Sequence, residues 1–262
     1  MLPSTNGRLG EPYKQRQATS NGLVRKERAA KYGVMCGRFT RKYSWRELWE
    51  LYMLHGGLLM SNVQPRYNVC PTTTIDAIVE EEGERKYQPM RWSLVPSWWS
   101  KPIKEMKMAT FNARAETVES KPMFRSAWKA NKRCIIPVSG YYEWQAIEGD
   151  KPQPWYFTQR DGSPIISVAG IWDEWTDKQT GDKLKSCAMI ICEPSKFVAE
   201  VHDRMPVLLK PDQFEPWLSG DTGKETLVAA PEDMLQKWPV SKRVNSSRTS
   251  DEDDTLIERI TI

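Results

Sequence analysis

Histidine is scarce in this 262-residue sequence, which contains only His55 and His202. The five cysteines are odd in number and include no C-x-x-C pair, which favours neither a disulfide framework nor a zinc site. No run of eighteen apolar residues occurs, and the first residues lack the apolar segment of a secretory signal. We therefore expect a cytoplasmic protein that uses no metal and no cofactor and that does not bind membranes.

Apolar side chains are plentiful enough to fill a substantial core, at 39% of the chain with twelve tryptophans. The formal charge is +4, but it is unevenly distributed. Residues 1–34 contain seven Lys/Arg and two Asp/Glu, a balance of +5, which leaves −1 for residues 35–262. A nearly neutral domain can bind nucleic acid only through a local basic patch and aromatic stacking.

Two regions follow from composition. Residues 1–34 are rich in Gly, Ser, Asn, Gln, Lys and Arg, which predicts a flexible basic extension. This extension is interpreted as a leader, a tag or a misassigned start, with a phosphate-binding basic arm as the alternative. Residues 35–262 are predicted to form a single domain.

Secondary-structure signals within the domain indicate an α+β fold. The clearest helix is "SWRELWELYMLHGG", in which Ser44 is the N-cap, Glu47 completes a capping box and Gly56-Gly57 ends the helix. Weaker helices are predicted at "PMFRSAWKA", "PDQFEPWL" and "PEDMLQKW". Strands are predicted at "TIDAIVE", "YQPMRW", "RCIIPVSGYYEW", "PWYFTQ", "PIISVAGIW" and "KSCAMIIC". We expect a curved, mainly antiparallel, barrel-like sheet with peripheral helices.

Few residues are candidates for acid–base chemistry. His55 ends the first helix, where a cation suits the helix dipole, and is interpreted as structural. His202 lies in "EVHDRMPVLL", where a buried structural histidine and a functional one are both consistent with the pattern. Glu143 lies in "SGYYEWQ", on the strand face of Tyr141; a carboxylate among aromatics can have a raised pKa and act as acid or base, although solvated strand glutamates are common.

Two further motifs carry polar or aromatic groups suited to a ligand. Asn112 and Arg114 of "TFNARAET" share a strand face and can present an amide and a guanidinium together. Trp98 and Trp99 of "RWSLVPSWWSKP" follow a proline and a serine, so a loop could offer them for base stacking, although core packing of one of them is equally consistent. Three lysines follow at once, either in a phosphate-binding groove or on a solvated loop: Lys101, Lys104 and Lys107.

Seven motifs occur in a fixed order: "MCGRFT", "RYNVCPT", "RWSLVPSWW", "NARAET", "SGYYEW", "HDRMPVLL" and "PVSKRVN". Together they resemble the SOS response-associated peptidase (SRAP) family across residues 35–262. The resemblance implies a compact α+β domain with a barrel-like sheet and a positively charged groove. It also implies binding to single-stranded DNA and a covalent crosslink to abasic sites, which shields them during replication and the DNA damage response.

The resemblance assigns roles residue by residue. The family's N-terminal cysteine corresponds to Cys36, its asparagine to Asn112, its glutamate to Glu143 and its histidine to His202. The DNA-contacting positions that it implies are Arg38, Pro71, Trp98, Trp99 and Arg114. The partner implied is single-stranded DNA containing abasic sites. We expect a monomer, which would be nucleoid-associated when bound to DNA.

The implied chemistry depends on a free α-amine. An amine and a thiol on one terminal cysteine can form an imine with the aldehyde of an abasic site and then a thiazolidine ring. Here thirty-five residues precede Cys36, so its nitrogen is an amide, which cannot form an imine. Translation from Met35, followed by methionine removal, is the preferred explanation; proteolysis of the extension or another activity are the others.

Two other functions remain open at this point. In the first, Cys36 is the nucleophile of a peptidase that cleaves the Met35–Cys36 bond, with His202 or Glu143 as base. In the second, the domain is a non-catalytic module that binds single-stranded or modified DNA.

Overall fold

The computed structural model describes residues 36–55 and 63–262 of the chain. The predicted extension, residues 1–34, and the predicted helix stop at Gly56-Gly57 lie outside the described residues. No helix within these two ranges is long and apolar enough to cross a membrane.

Strands dominate the described part of the chain, and the helices are short. The strands are β1 (Phe39–Arg41), β2 (Arg66–Val69), β3 (Thr74–Ile75), β4 (Ile78–Glu81), β5 (Glu84–Tyr87), β6 (Met90–Trp92), β7 (Asn112–Arg114), β8 (Arg133–Val138), β9 (Gly140–Gln145), β10 (Gln153–Gln159), β11 (Ile166–Thr176), β12 (Lys183–Cys192), β13 (Met205–Pro206), β14 (Leu208–Leu209) and β15 (Leu235–Pro239). The α-helices are α1 (Trp45–Tyr52), α2 (Arg125–Lys129), α3 (Lys196–Ala199) and α4 (Phe214–Ser219). Single 3₁₀ turns span Ile103–Glu105, Pro211–Gln213, Lys224–Thr226, Lys242–Asn245 and Asp254–Ile257.

The described strands form two sheets. The smaller sheet has the order β15-β10-β9-β1-β2 and is antiparallel throughout. The larger sheet has the order β3-β6-β12-β11-β8-β4-β5, with β7 and β13 paired to β12 and β14 paired to β11. Among the strands of residues 36–55 and 63–262, only β6 and β7 pair in parallel, both with β12. The predicted α+β class is confirmed, and its curved, mainly antiparallel strand layer is divided between two sheets.

The first helix begins as predicted. The Ser44 side chain accepts the Glu47 N–H, and the Glu47 carboxylate accepts the Ser44 N–H at 2.6 Å, so both halves of the capping box are present. The helix ends earlier than predicted, because Met53 adopts the left-handed conformation (φ 48°) and its N–H bonds the Trp49 carbonyl.

The predicted helix "PEDMLQKW" is wrong. Its second half is β15, which pairs with β10 from Gln159↔Leu235 to Trp155↔Pro239. Leu235 enters the main core, whereas Trp238 packs on the opposite side of the sheet. The apolar spacing also fits a helix, but long-range pairing with a buried strand overrides local propensity.

The predicted strand "TIDAIVE" is broken into β3 and β4 at Asp76. This buried carboxylate accepts hydrogen bonds from the hydroxyls of Tyr43 at 2.7 Å and Tyr87 at 2.9 Å. Arg41 adds an ion pair at 3.3 Å. A side chain with three such partners fixes the bend between the two short strands.

Strand β9 separates two hydrophobic clusters. Tyr141 lies in the main core and stacks on Phe157, with ring centroids 5.0 Å apart. Tyr142 points the other way, into a smaller cluster with Tyr156. Because side chains alternate along a strand, Glu143 faces the same side as Tyr141. The predicted alternation is therefore correct, and it directs a carboxylate into the interior.

Candidate active site

Cys36 lies just before β1, the strand that pairs with β9. The β1–β9 register pairs Phe39 with Tyr141, and the Tyr142 N–H donates to the Arg38 carbonyl at 3.0 Å. Continuing this antiparallel register puts Gly37 opposite Glu143, so Cys36 lies one residue from the position facing this carboxylate. Cys36 is buried and has φ 41°, in the left-handed region that favours glycine.

Glu143 contacts both potentially reactive atoms of Cys36. The Cys36 Sγ donates a hydrogen bond to Glu143 Oε1, and the backbone N–H of Cys36 also bonds this carboxylate. Glu143 is fully buried, and this burial raises its pKa to about 7, against the opposing effects of His202 and of the Cys36 hydrogen bonds. A carboxyl with such a pKa can accept or donate a proton at neutral pH.

The thiol of Cys36 is held in its neutral form. Burial is the largest cause of its raised pKa, and the negative charge of Glu143 is the next. A neutral thiol needs a base before it can act as a nucleophile, and the carboxylate in contact with Sγ is placed to be that base.

His202 completes one side of this group. It follows α3, with its N–H donating to the Val198 carbonyl at 3.0 Å, and its side chain is mostly buried. Its Nδ1 lies 3.9 Å from Glu143 Oε2, which accepts no hydrogen bond from the described residues. The Arg204 N–H donates to the same Nδ1 at 3.1 Å, which leaves the proton of the neutral ring on Nε2. The Asp203 carboxylate lies 3.2 Å from Nδ1 and can meet it when the ring is protonated.

Asn112 lies at the same end of β12 as His202. It is the first residue of β7, which runs parallel to β12 opposite Met189. On the C-terminal side of β7, Glu116 forms an ion pair with Arg204, two residues after His202. This pair joins the turn containing His202 to the segment that follows Asn112. Cys36, Glu143 and His202 thus form one contact group, with β7 adjoining the same end of β12.

The predicted DNA-contacting residues are distributed over several surface segments. Arg114 is exposed on β7, and Pro71 is partly buried after β2. Arg38 is partly buried, and its Nη1 donates to Asn68 Oδ1 at 2.6 Å and to the Val244 carbonyl at 2.8 Å. Trp98 and Trp99 lie on a turn after β6, where Trp98 is 49% exposed and Trp99 is partly buried.

His55 is exposed, and its Nδ1 lies 3.1 Å from the Glu84 carboxylate at the surface. It does not contact the Cys36 group, and its interpretation as structural remains a prediction.

Sequence reasoning missed two neighbours of the Cys36 group. The buried Tyr141 hydroxyl has no hydrogen-bond partner among the described residues, and both Cys36 and Glu143 contribute to its raised pKa after burial. Cys192, at the end of β12, contributes to the raised pKa of Cys36. The two-residue spacing between Tyr141 and Glu143 could have identified the first, whereas only the fold reveals the second.

Residues 35–247 match the family model described as SOS response associated peptidase (SRAP). The chain belongs to the SRAP family. It is 33% identical over 221 residues to abasic site processing protein YoaM of Bacillus subtilis, covering 82% of this chain and 95% of that protein. It is 30% identical to abasic site processing protein YedK of Escherichia coli, covering 81% and 95% respectively.

Similarity extends to a protein of Xenopus tropicalis and to solved structures. Abasic site processing protein HMCES of Xenopus tropicalis is 30% identical, with 71% of this chain and 64% of that protein covered. A crystal structure of a protein from Bacteroides thetaiotaomicron superposes with a TM-score of 0.67 at 25% identity, covering 90% of this chain and 95% of the other. A Bordetella bronchiseptica structure gives the same score and identity, covering 79% of this chain and all of the other.

Proposed function

We propose that this SRAP protein binds single-stranded DNA and, once Cys36 is its first residue, captures the aldehyde of an abasic site in a thiazolidine ring. The observation that carries the proposal is the contact of one buried carboxyl, Glu143, with both the nitrogen and the sulfur of Cys36. The abasic-site relatives support the choice of electrophile.

The chemistry balances without a cofactor. The neutral α-amine attacks the aldehyde carbon C1′, which forms the C–N bond of a carbinolamine. Loss of hydroxide, which takes up a proton and leaves as water, gives the imine. The Cys36 sulfur then bonds to the imine carbon, and the thiol proton passes to the nitrogen. The sum is one aminothiol plus one aldehyde giving one thiazolidine and one water.

Glu143 is assigned the proton transfers. In its ionised form it accepts a proton from the thiol or the ammonium, and in its protonated form it donates to the departing hydroxyl. A pKa of about 7 populates both forms at neutral pH. His202, with a proton on Nε2, assists opening of the sugar ring, and Asn112 orients the amine and the sugar.

The test compares chains 1–262 and 36–262 on three single-stranded oligonucleotides: intact, abasic with an aldehyde, and reduced abasic without one. We expect a denaturant-stable crosslink only between the chain beginning at Cys36 and the aldehyde. Cys36→Ala in the shorter chain should abolish it. An equal crosslink by a chain whose mass proves that residues 1–35 are still attached would contradict the ring chemistry.

Self-cleavage at the Met35–Cys36 bond is a second candidate, favoured by the left-handed φ of Cys36. A non-glycine residue held there is strained by roughly 1–3 kcal/mol, and hydrolysis of the preceding bond releases that strain. The thiol would attack the Met35 carbonyl, move the acyl group from nitrogen to sulfur and leave a thioester for water to hydrolyse. Mass spectrometry should then find a chain beginning at Cys36 for wild type and an intact chain for Cys36→Ala.

A non-catalytic DNA-binding module would give neither result. Such a protein would bind intact and abasic oligonucleotides alike and would leave no covalent product with either.

A further inference from the structure

The turn that carries the tandem tryptophans is built unlike an ordinary surface loop. Trp98 is 49% exposed, and its ring centroid lies 6.2 Å from that of Trp99 at an interplanar angle of 60°. An exposed indole on an unrestrained loop loses conformational freedom when it stacks on a base, and this loss weakens binding. The backbone beneath Trp98, however, is held at alternate residues.

The first two attachments come from a facing pair of residues on neighbouring strands. Asp173 of β11 and Ser186 of β12 lie opposite one another in the register. Ser186 Oγ accepts the Val95 N–H at 2.8 Å, and Asp173 Oδ2 accepts the Ser97 N–H at 2.8 Å. Before Trp98, the backbone N–H groups of Val95 and Ser97 therefore bond side chains of the larger sheet and not the backbone of a neighbouring strand.

The third attachment lies directly after Trp98. Trp175 follows Asp173 by two residues on β11 and so shares its face. Its Nε1 donates to the Trp99 carbonyl at 2.6 Å. Both sides of the exposed Trp98 are thus fixed to the same strand.

Both carboxylate oxygens of Asp173 are hydrogen-bonded by neighbouring groups. Only 1% of the residue is exposed, and its Oδ1 accepts from Lys132 Nζ at 2.5 Å and from the Glu174 N–H at 2.9 Å. With the Ser97 N–H it has three donors, two of them backbone groups, as a buried carboxylate requires. Because the residue is buried and both of its oxygens already accept hydrogen bonds, it presents no exposed oxygen to a ligand, which suits a holding role.

We propose that Asp173 is a positioning residue for DNA recognition: with Ser186 and Trp175 it holds the turn so that Trp98 is a preformed stacking surface for a base. The assignment rests on the single-stranded DNA binding proposed above. It adds residues that never touch the DNA and act through Trp98.

The experiment measures equilibrium binding of the full chain to a single-stranded oligonucleotide carrying a tetrahydrofuran abasic analogue. This probe has no aldehyde, so binding is separated from crosslinking. We expect Asp173→Asn to weaken binding about tenfold, a change of about 1.4 kcal/mol. Glu174→Gln is the matched control, since this neighbouring carboxylate points to the other face and pairs with Lys183 at 3.1 Å; its affinity should equal that of wild type.

A double-mutant cycle with Trp98→Ala distinguishes positioning from general destabilisation. If Asp173 acts through Trp98, Asp173→Asn should cost little further affinity once Trp98 is removed. Equal losses in both backgrounds, or full affinity in Asp173→Asn or in Trp98→Ala, would overturn the assignment.

A milder variant covers the case in which Asp173→Asn fails to fold. Trp175→Phe removes only the N–H bond to the Trp99 carbonyl, and we expect it to weaken binding severalfold, again only when Trp98 is present. If wild type crosslinks an aldehyde but Trp175→Phe keeps full affinity, only this positioning assignment is overturned, and the proposed function stands. Wild type that neither binds nor crosslinks would overturn the proposed function as well.

Discussion

The Cys36 group and the Trp98 turn use buried carboxylates in opposite ways. Asp173 has three donors and serves to fix backbone. Glu143 is bonded only on Oε1, through Cys36, while its Oε2 accepts nothing from the described residues and burial raises its pKa to about 7. The carboxylate with an unbonded buried oxygen is the one able to exchange protons, whereas the carboxylate with both oxygens hydrogen-bonded holds the backbone in place.

Glu143→Gln tests the proton transfers proposed for the Cys36 group and should give the largest effect. The variant keeps the shape of the side chain but cannot carry a proton between the reacting atoms. We expect the single-turnover crosslinking rate of the chain beginning at Cys36 to fall by about 10²–10⁴-fold. Glu174→Gln is the control, and a Glu143→Gln rate close to that of wild type would remove Glu143 from the chemistry.

The raised pKa of Glu143 should also appear in stability. Its carboxyl titrates near 4.5 when unfolded and at about 7 when folded, so the folded state binds the proton more tightly. The resulting stabilisation is complete below about pH 4.5 and is lost as the pH rises through about 7, an effect of about 3 kcal/mol. Urea unfolding at about pH 5 and about pH 8 should show wild type losing most of this amount relative to Glu143→Gln. Parallel pH profiles for the two proteins would show that Glu143 titrates normally.

Ser186→Ala tests the attachment of the Trp98 turn to the larger sheet. It leaves the buried Val95 N–H without the acceptor that now lies at 2.8 Å, at a cost of about 1–3 kcal/mol in the free energy of unfolding. Because Asp173 and Trp175 still hold the turn, the loss of DNA affinity should be smaller than for Asp173→Asn. An affinity loss larger than that of Asp173→Asn would mean that the attachments do not act together.

The smallest expected effects concern the two predicted DNA-contacting arginines, Arg114 and Arg38, which should respond differently. Arg114 is exposed, so Arg114→Ala should reduce the slope of log K against log salt by about 0.7, the value for one phosphate contact on single-stranded DNA. Arg38 already bonds Asn68 and the Val244 carbonyl, so Arg38→Ala should mainly lower the midpoint of urea unfolding. A slope change for Arg38 without a loss of stability would show that its guanidinium is free to contact phosphate.

Local signals predicted the elements that depend on local contacts. The capping box of α1 and the alternation along β9 were correct because neighbouring residues determine both. The predicted helix at 231–238 was wrong because the pairing partner of β15, strand β10, lies about eighty residues earlier in the chain and cannot be inferred from the spacing of Met234, Leu235 and Trp238.

The site could be anticipated only in part. Motif order identified Cys36, Glu143 and His202 as candidates, and the fold brings these three into one group. The support for Trp98 could not be found in this way, because Asp173 and Ser186 meet only through the register of β11 and β12. Nothing in the sequence distinguishes Asp173 and Ser186 from other strand residues. Their role becomes visible only from the backbone N–H groups that they bind.

The raised pKa values of the cysteine thiols affect how readily these thiols are modified. Burial raises the pKa of Cys36, Cys70 and Cys192 and, with its neighbour Cys187, that of Cys134. Peroxides and alkylating metabolites attack thiolates far faster than thiols. A buried neutral thiol is therefore protected from such modification, and in the proposed mechanism Cys36 would become nucleophilic only when Glu143 accepts its proton.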